Sequence, residues 1–113
     1  MLAEKPIVWM HGEVKTPPFS SRARVEAGVL LRRLQSGENL GLPESRPMPA
    51  VGGGCHELRI TDAGKGWRIV YYIGLEAIVI LEVFEKKTRA TPKFVIEAAR
   101  RRLRMFRDVE KDT

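Results

Sequence analysis

The sequence predicts an α+β domain in which a small, antiparallel-rich sheet carries two helices packed on one face. Three observations lead there. Residues 55–86 read as three closely spaced β-rich runs joined by short turns, the pattern of an antiparallel meander. Two stretches with apolar residues at three- and four-residue steps flank that region. The chain has 113 residues, 43% of them hydrophobic and 30% charged, which suits one globular domain over 1–113 that needs no disulfide or metal staple.

Each element has a local reason. Residues 6–10 (Pro-Ile-Val-Trp-Met) form a β-branched and aromatic run, consistent with a first strand. Lys15-Thr16-Pro17-Pro18 then breaks regular structure. Ser20 or Ser21 is placed to cap a helix, because its hydroxyl can accept from an unpaired first-turn N–H. Ala23, Ala27, Leu30, Leu31 and Leu34 give that helix one apolar face, and Gly37 is a natural stop. Residues 37–54 are rich in Gly and Pro and read as irregular, with room for one helical turn at 40–44. Strands are expected at 55–61, 66–73 and 77–86, the first two joined by Asp62-Ala63-Gly64-Lys65, a hairpin signal. Thr91 as cap and Pro92 at the first helical position open the last helix, with Val95, Ala99, Leu103 and Phe106 as its apolar stripe.

Composition excludes several classes. One cysteine, Cys55, permits no intrachain disulfide and no thiolate zinc site. Two histidines, His11 and His56, make no metal cluster. No apolar run approaches the roughly 20 residues of a membrane span, and the N-terminus lacks the pattern of a secretory signal. The expectation is a cytoplasmic protein without metal or cofactor. Its net charge of +6 makes a polyanion a natural partner.

Alternation along the strands assigns the charged residues to a face. Glu57 and Arg59 lie opposite Leu58 and Ile60; Arg68 lies opposite Trp67, Ile69 and Tyr71. In the last strand Val79, Leu81 and Val83 are assigned to the core, and Glu82, Phe84 and Lys86 point away. Glu57, Arg59, Arg68, Glu82 and Lys86 should therefore converge on one open face, with Lys87 at its rim. Each alone reads most simply as a solvated residue; together they form the footprint expected for RNA. Residues 86–107 hold nine basic residues against Glu97, a local +8. Within them Arg100-Arg101-Arg102-Arg104 is either a solvated face suited to a helix C-terminus or a phosphate-contacting surface. His56, Trp67 and Tyr71 read as core or edge residues, and Cys55 as a small buried hydrophobe.

The ordered blocks resemble a known group. Lys5-Pro-Ile-Val-Trp9, Arg46-Pro-Met-Pro49, Gly54-Cys-His-Glu-Leu-Arg-Ile60 and Trp67-Arg-Ile-Val-Tyr71 are followed by Phe84-Glu-Lys-Lys-Thr88 and Thr91-Pro92-Lys93. The set is similar to the phage-derived Gp49-like group of the RelE/HigB superfamily of toxins. That resemblance implies a RelE-like microbial RNase fold. It also implies an mRNA endonuclease acting on ribosome-bound messages and neutralised by a helix-turn-helix antitoxin. The implied chemistry is metal-independent attack of an RNA 2′-hydroxyl on the adjacent phosphate. It needs a base, an acid and cations for the charge gathering on phosphorus.

By the resemblance, the catalytic positions are Arg59, Arg68, Lys86, Lys87 and Glu82. Arg68 stands in the aromatic-Arg-x-x-Tyr block, and Lys87 where the superfamily often has a cation that stabilises the transition state. Relatives often carry His where this chain has Glu82, which can serve as a base or pair with nearby cations. Lys93 stands where many members place Tyr or His. It joins Arg89, Arg100, Arg101 and Arg104 as the expected RNA-binding set. The competing expectation is a non-catalytic RNA-binding or protein-partner module on the same fold.

Overall fold

The computed structural model describes residues 4–10 and 19–111. The expected break at Lys15–Pro18 and His11 lie outside the described residues. The element order is β1 (Ile7–Trp9), α1 (Ser21–Gln35), β2 (Ser45–Pro47), β3 (Cys55–Asp62), β4 (Lys65–Ile73), β5 (Ile78–Lys86) and α2 (Lys93–Lys111). The five strands form one sheet in the order β1-β5-β4-β3-β2. The β2–β3, β3–β4 and β4–β5 pairs are antiparallel, and β1 runs parallel to β5. The architecture is α+β, as expected.

The local signals act as their chemistry requires. Ser20 caps α1 by accepting from the Ala23 N–H at 3.2 Å. Gly37 follows the helix at φ +97°, where a side chain would be strained. The β3–β4 turn places Ala63 and Gly64 both at positive φ, the backbone that matches the twist of a two-residue hairpin. α2 begins one step later than expected: the Pro92 carbonyl accepts from Val95 and Ile96, so Pro92 is the half-in cap and Lys93 the first helical residue. At 40–44 no helix forms. A single turn closes with Ser45 N–H donating to the Gly41 carbonyl, and the chain enters the short edge strand β2, which the sequence reading lacked.

One expectation is overturned: the helices lie on opposite faces of the sheet. α1 buries Ala23, Ala27, Leu30 and Leu34 against Leu58, Ile60, Trp67, Ile69, Tyr71, Ile78 and Ile80. α2 buries Ala99 and Leu103 on the other side, against Cys55, Val70, Val79 and Leu81. The reason lies in β5, whose Ile78-Val79-Ile80-Leu81 run is apolar on both faces and needs cover on both. At roughly 1.5–3 kcal/mol for each fully buried aliphatic side chain, leaving either face bare would cost more than a small domain can spare.

A β-bulge also changes the assignment of β5. Tyr71 pairs with Ile80 and Val70 with Glu82, which leaves Leu81 as the extra residue. Leu81 and Glu82 therefore both serve the α2 side, while Val83 packs with the α1 cluster. Strict alternation fails at that one residue. The expected face of Glu57, Arg59, Arg68, Glu82 and Lys86 exists, but it is the face that α2 partly covers.

Candidate functional site

Cross-strand register stacks the charged residues in rows on the α2 side. Arg46, Glu57, Val70 and Glu82 form one row across β2, β3, β4 and β5. Arg59, Arg68 and Phe84 form the next, and Thr61, Gly66 and Lys86 the one after. The apolar contacts of α2 centre on Cys55, Val70, Val79 and Leu81, toward the other end of the sheet. The cationic rows thus sit beyond the helix's main footprint.

Glu57 is the centre of this end. It is only 2% exposed, and its Oε1 lies 3.8 Å from the Nε atoms of both Arg46 and Arg68. Its Oε2 is buried with no hydrogen-bond partner. Arg68 is itself largely buried, donates to the Trp67 carbonyl at 3.0 Å, and lays its guanidinium across Gly66. Burial draws its pKa below the ordinary value, Glu57 opposes that, and Arg59 and Arg46 add to it. An anion arriving here would relieve the crowding of three arginines.

Glu57 also lines a groove of ≈ 330 Å³ between the segment after β2 and the start of α2. Arg46, Lys86 and Arg89 line it too, so three cations face one carboxylate. A second groove of ≈ 380 Å³ holds Arg59 and Arg68 with Glu26 and Glu44, where the charges balance. The first is the better site for a phosphodiester, whose oxygens match the forked donors of arginine.

The residues expected to act together are only partly brought together. Arg68, Lys86 and Arg89 meet around Glu57, directly or across the groove. Arg59 belongs to the second groove. Lys87 is exposed just past the end of β5 and does not line the first groove. Glu82 is 8% exposed, and its carboxylate accepts from the Val83 N–H and from Arg102 at 3.0 Å. Of the two expectations for Glu82, the geometry matches ion pairing, with Arg102 as partner in place of the cations beside it in the sheet. Lys93 is exposed and lies 3.9 Å from Glu97 one helical turn on. Arg100 donates to the Ala50 carbonyl at 2.7 Å, and Arg101 and Arg104 are exposed.

Two residues of the site, Arg46 and Glu57, were outside the expected catalytic set. Arg46 stood in a segment read as loop. Glu57 shares alternation with Arg59, and that signal did place it on the right face. Around them, Cys55 is buried, and burial pushes its thiol up to about 11 against the opposing charge of Arg107. His56 stacks on Tyr71 with ring centroids 5.5 Å apart, and the Tyr71 hydroxyl meets Ser45 Oγ at 2.6 Å. Burial raises the Tyr71 pKa and the Ser45 bond opposes it, which marks Tyr71 as a core residue. Among the described residues, no cluster of three His, Cys, Asp or Glu side chains could hold a metal ion, and no helix is long and apolar enough to cross a membrane.

Every residue that lines the two grooves falls inside the segment 18–104, which matches the family described as phage-derived protein Gp49-like. β1 lies outside the match. No curated protein matches the chain. The matched segment spans most of the sequence, with all of α1, α2 as far as residue 104 and four of the five strands, and on that ground the chain belongs to the phage-derived Gp49-like family.

Proposed function

We propose that the protein is an endoribonuclease toxin of the RelE/HigB type, and that the groove floored by Glu57 is where it cuts RNA. The observation that carries this is the arrangement around Glu57: a buried carboxylate with one unpaired oxygen, flanked by Arg46 and Arg68, in a groove also lined by Lys86 and Arg89. A carboxylate beside several cations is what metal-independent phosphodiester cleavage needs.

In this reading the Glu57 carboxylate, which lines the groove, takes the proton of the RNA 2′-hydroxyl. The 2′-oxygen then bonds to phosphorus, and the bond from phosphorus to the 5′-oxygen breaks. Lys86, the ammonium lining the groove, gives a proton to the departing oxygen. Arg46 and Arg89, which line the groove, hold the charge that builds on the non-bridging oxygens, and Arg68 behind them positions the Glu57 carboxylate. The products are a 2′,3′-cyclic phosphate and a 5′-hydroxyl end. Arg101 and Arg104, exposed on α2, would meet flanking phosphates and supply salt-dependent affinity. Ribosome-bound mRNA is the proposed substrate, and a helix-turn-helix antitoxin the proposed partner.

The test is induction of the protein in cells, with mapping of RNA ends. Growth arrest and new 2′,3′-cyclic phosphate ends are expected, both lost in Glu57→Gln and in Arg68→Ala combined with Lys86→Ala. Co-expression of the product of the adjacent reading frame should restore growth. Salt-dependent RNA binding without cyclic ends would replace the endonuclease by a binding module. Cleavage unchanged in Glu57→Gln would overturn the assignment of the base.

A further inference from the structure

Two walls of the groove are not explained by phosphate chemistry. One is Pro47, Met48, Pro49 and Ala50; the other includes Ala90 and Ile96. Both are apolar and both are fastened. Met48 N–H donates to the Cys55 carbonyl at 2.8 Å, and Val51 N–H to the Met48 carbonyl at 3.0 Å, which fixes the first wall as a tight turn. Thr88 Oγ1 donates to the Ala90 carbonyl at 2.8 Å on the second. Arg100, in α2, reaches across to the Ala50 carbonyl at 2.7 Å and so ties the helix that carries Ile96 to the opposite wall. The space between them, ≈ 330 Å³, is at the small end for ligand sites and suits one flat group.

We infer that this groove is a slot for a single unstacked nucleobase, held between the 47–50 turn and Ala90–Ile96, with Arg100 as the positioning residue that sets its width. The inference rests on the function proposed above and deepens it: the base belongs to the nucleotide whose 2′-hydroxyl lies against Glu57. The cations at the floor take the 3′-phosphate of that nucleotide, and the apolar walls take the ring. Sequence-selective recognition of single-stranded RNA works by splaying bases into such pockets. Here the walls are prolines and aliphatic side chains, so shape and apolar burial do the selecting.

The probes are the four 3′-nucleoside monophosphates and inorganic phosphate, titrated into the full chain and followed by heteronuclear NMR and calorimetry. The nucleotides are expected to bind roughly tenfold or more tighter than phosphate, and to shift the Ala90 and Ile96 signals. Ala90→Trp, at an exposed position outside the helices and strands, should fill the slot, with an unchanged urea midpoint checking that the fold is kept. It should bring nucleotide affinity down to that of phosphate. Arg100→Ala should weaken nucleotide binding and flatten the differences among the four bases, while phosphate binding stays within about twofold. Equal affinities for nucleotides and phosphate in the wild type, or nucleotide binding untouched by Ala90→Trp, would overturn the slot. Failure of RNA cleavage with the nucleotide preference intact would instead overturn the endonuclease and leave the slot standing.

Discussion

The two faces of the sheet are built from alternate residues of the same strands, yet they end in opposite states. Toward α1, β3 and β4 offer Leu58, Ile60, Trp67, Ile69 and Tyr71, and the helix with Phe19 seals them. Toward α2, the same strands offer Cys55, Glu57, Arg59, Arg68 and Val70, of which the apolar cluster takes Cys55 and Val70. The α1 face is a core. The α2 face is half core and half charged groove. What separates them is how far each apolar stripe extends along the strands, and that is set residue by residue in the sequence. The charged end is where the sheet gives up apolar burial for a cluster of charges.

The sharpest way to break this contrast is a pair of alanine substitutions on neighbouring strands. Leu58→Ala empties a fully buried site on the α1 face and should destabilise the protein by about 2–5 kcal/mol, with the activity per folded molecule retained. Arg68→Ala on the α2 face should lower cleavage about a hundredfold or more at a smaller loss of stability. Urea denaturation and single-turnover cleavage of one RNA substrate check both. If Arg68→Ala lost only stability, the α2 face would be a second core whose charges are structural.

Glu82 tests where the boundary runs on the α2 face. It is bound to Arg102 at 3.0 Å, with the two side chains 10% and 18% exposed. Glu82→Gln should cost about 2–3 kcal/mol, less than a wholly buried pair because Arg102 keeps some water. The rate per folded molecule should hold. A large loss of rate at unchanged urea midpoint would return Glu82 to the catalytic set.

Much of this contrast was legible in the sequence. The 3.6-residue stripes of both helices, the Ser20 cap, the Ala63-Gly64 turn and the alternation that separates Glu57, Arg59 and Arg68 from the core all hold in the structure. Three features were missed. The bulge at Leu81 moves Glu82 onto the α2 side beside it, and a strand read by strict period two cannot reveal an inserted residue. The position of α2 was missed because its stripe says that it packs, not which face it packs on. The Ile78-Val79-Ile80-Leu81 run carried that signal, since a strand apolar on both faces needs two covers. Arg46 was hidden for a different reason: a three-residue edge strand gives no period to read.

A finer probe is Gly66→Ala. A Cβ there would stand 3.3 Å from the Arg68 Nη1 and press on the guanidinium without touching the core. The end of a flexible side chain yields easily, so stability should stay level or rise slightly as a strand glycine is replaced. Cleavage should fall about three- to tenfold, because small displacements of a charge-bearing group are felt in the rate. Unchanged cleavage would mean that Arg68 needs no fixed seat.

The smallest expected effect lies on the α1 side, where a charge adds to burial in fastening the helix start. The Ser20 N–H donates to Asp62 Oδ2 at 2.7 Å, tying the cap of α1 to the end of β3. That backbone bond, then a bond from the Ser20 hydroxyl and the charges of Lys65 and Arg22, hold the Asp62 carboxyl below its ordinary value. A carboxyl whose pKa is lowered by folding stabilises the fold above its unfolded value, near 4, and loses that contribution as pH falls through the folded value. The melting temperature of Asp62→Asn should therefore lie slightly below that of the wild type at neutral pH, and the gap should close as both are acidified below about pH 4. A gap that persists at low pH would show that Asp62 acts through its shape, and that the α1 side contains no titratable fastening at this point.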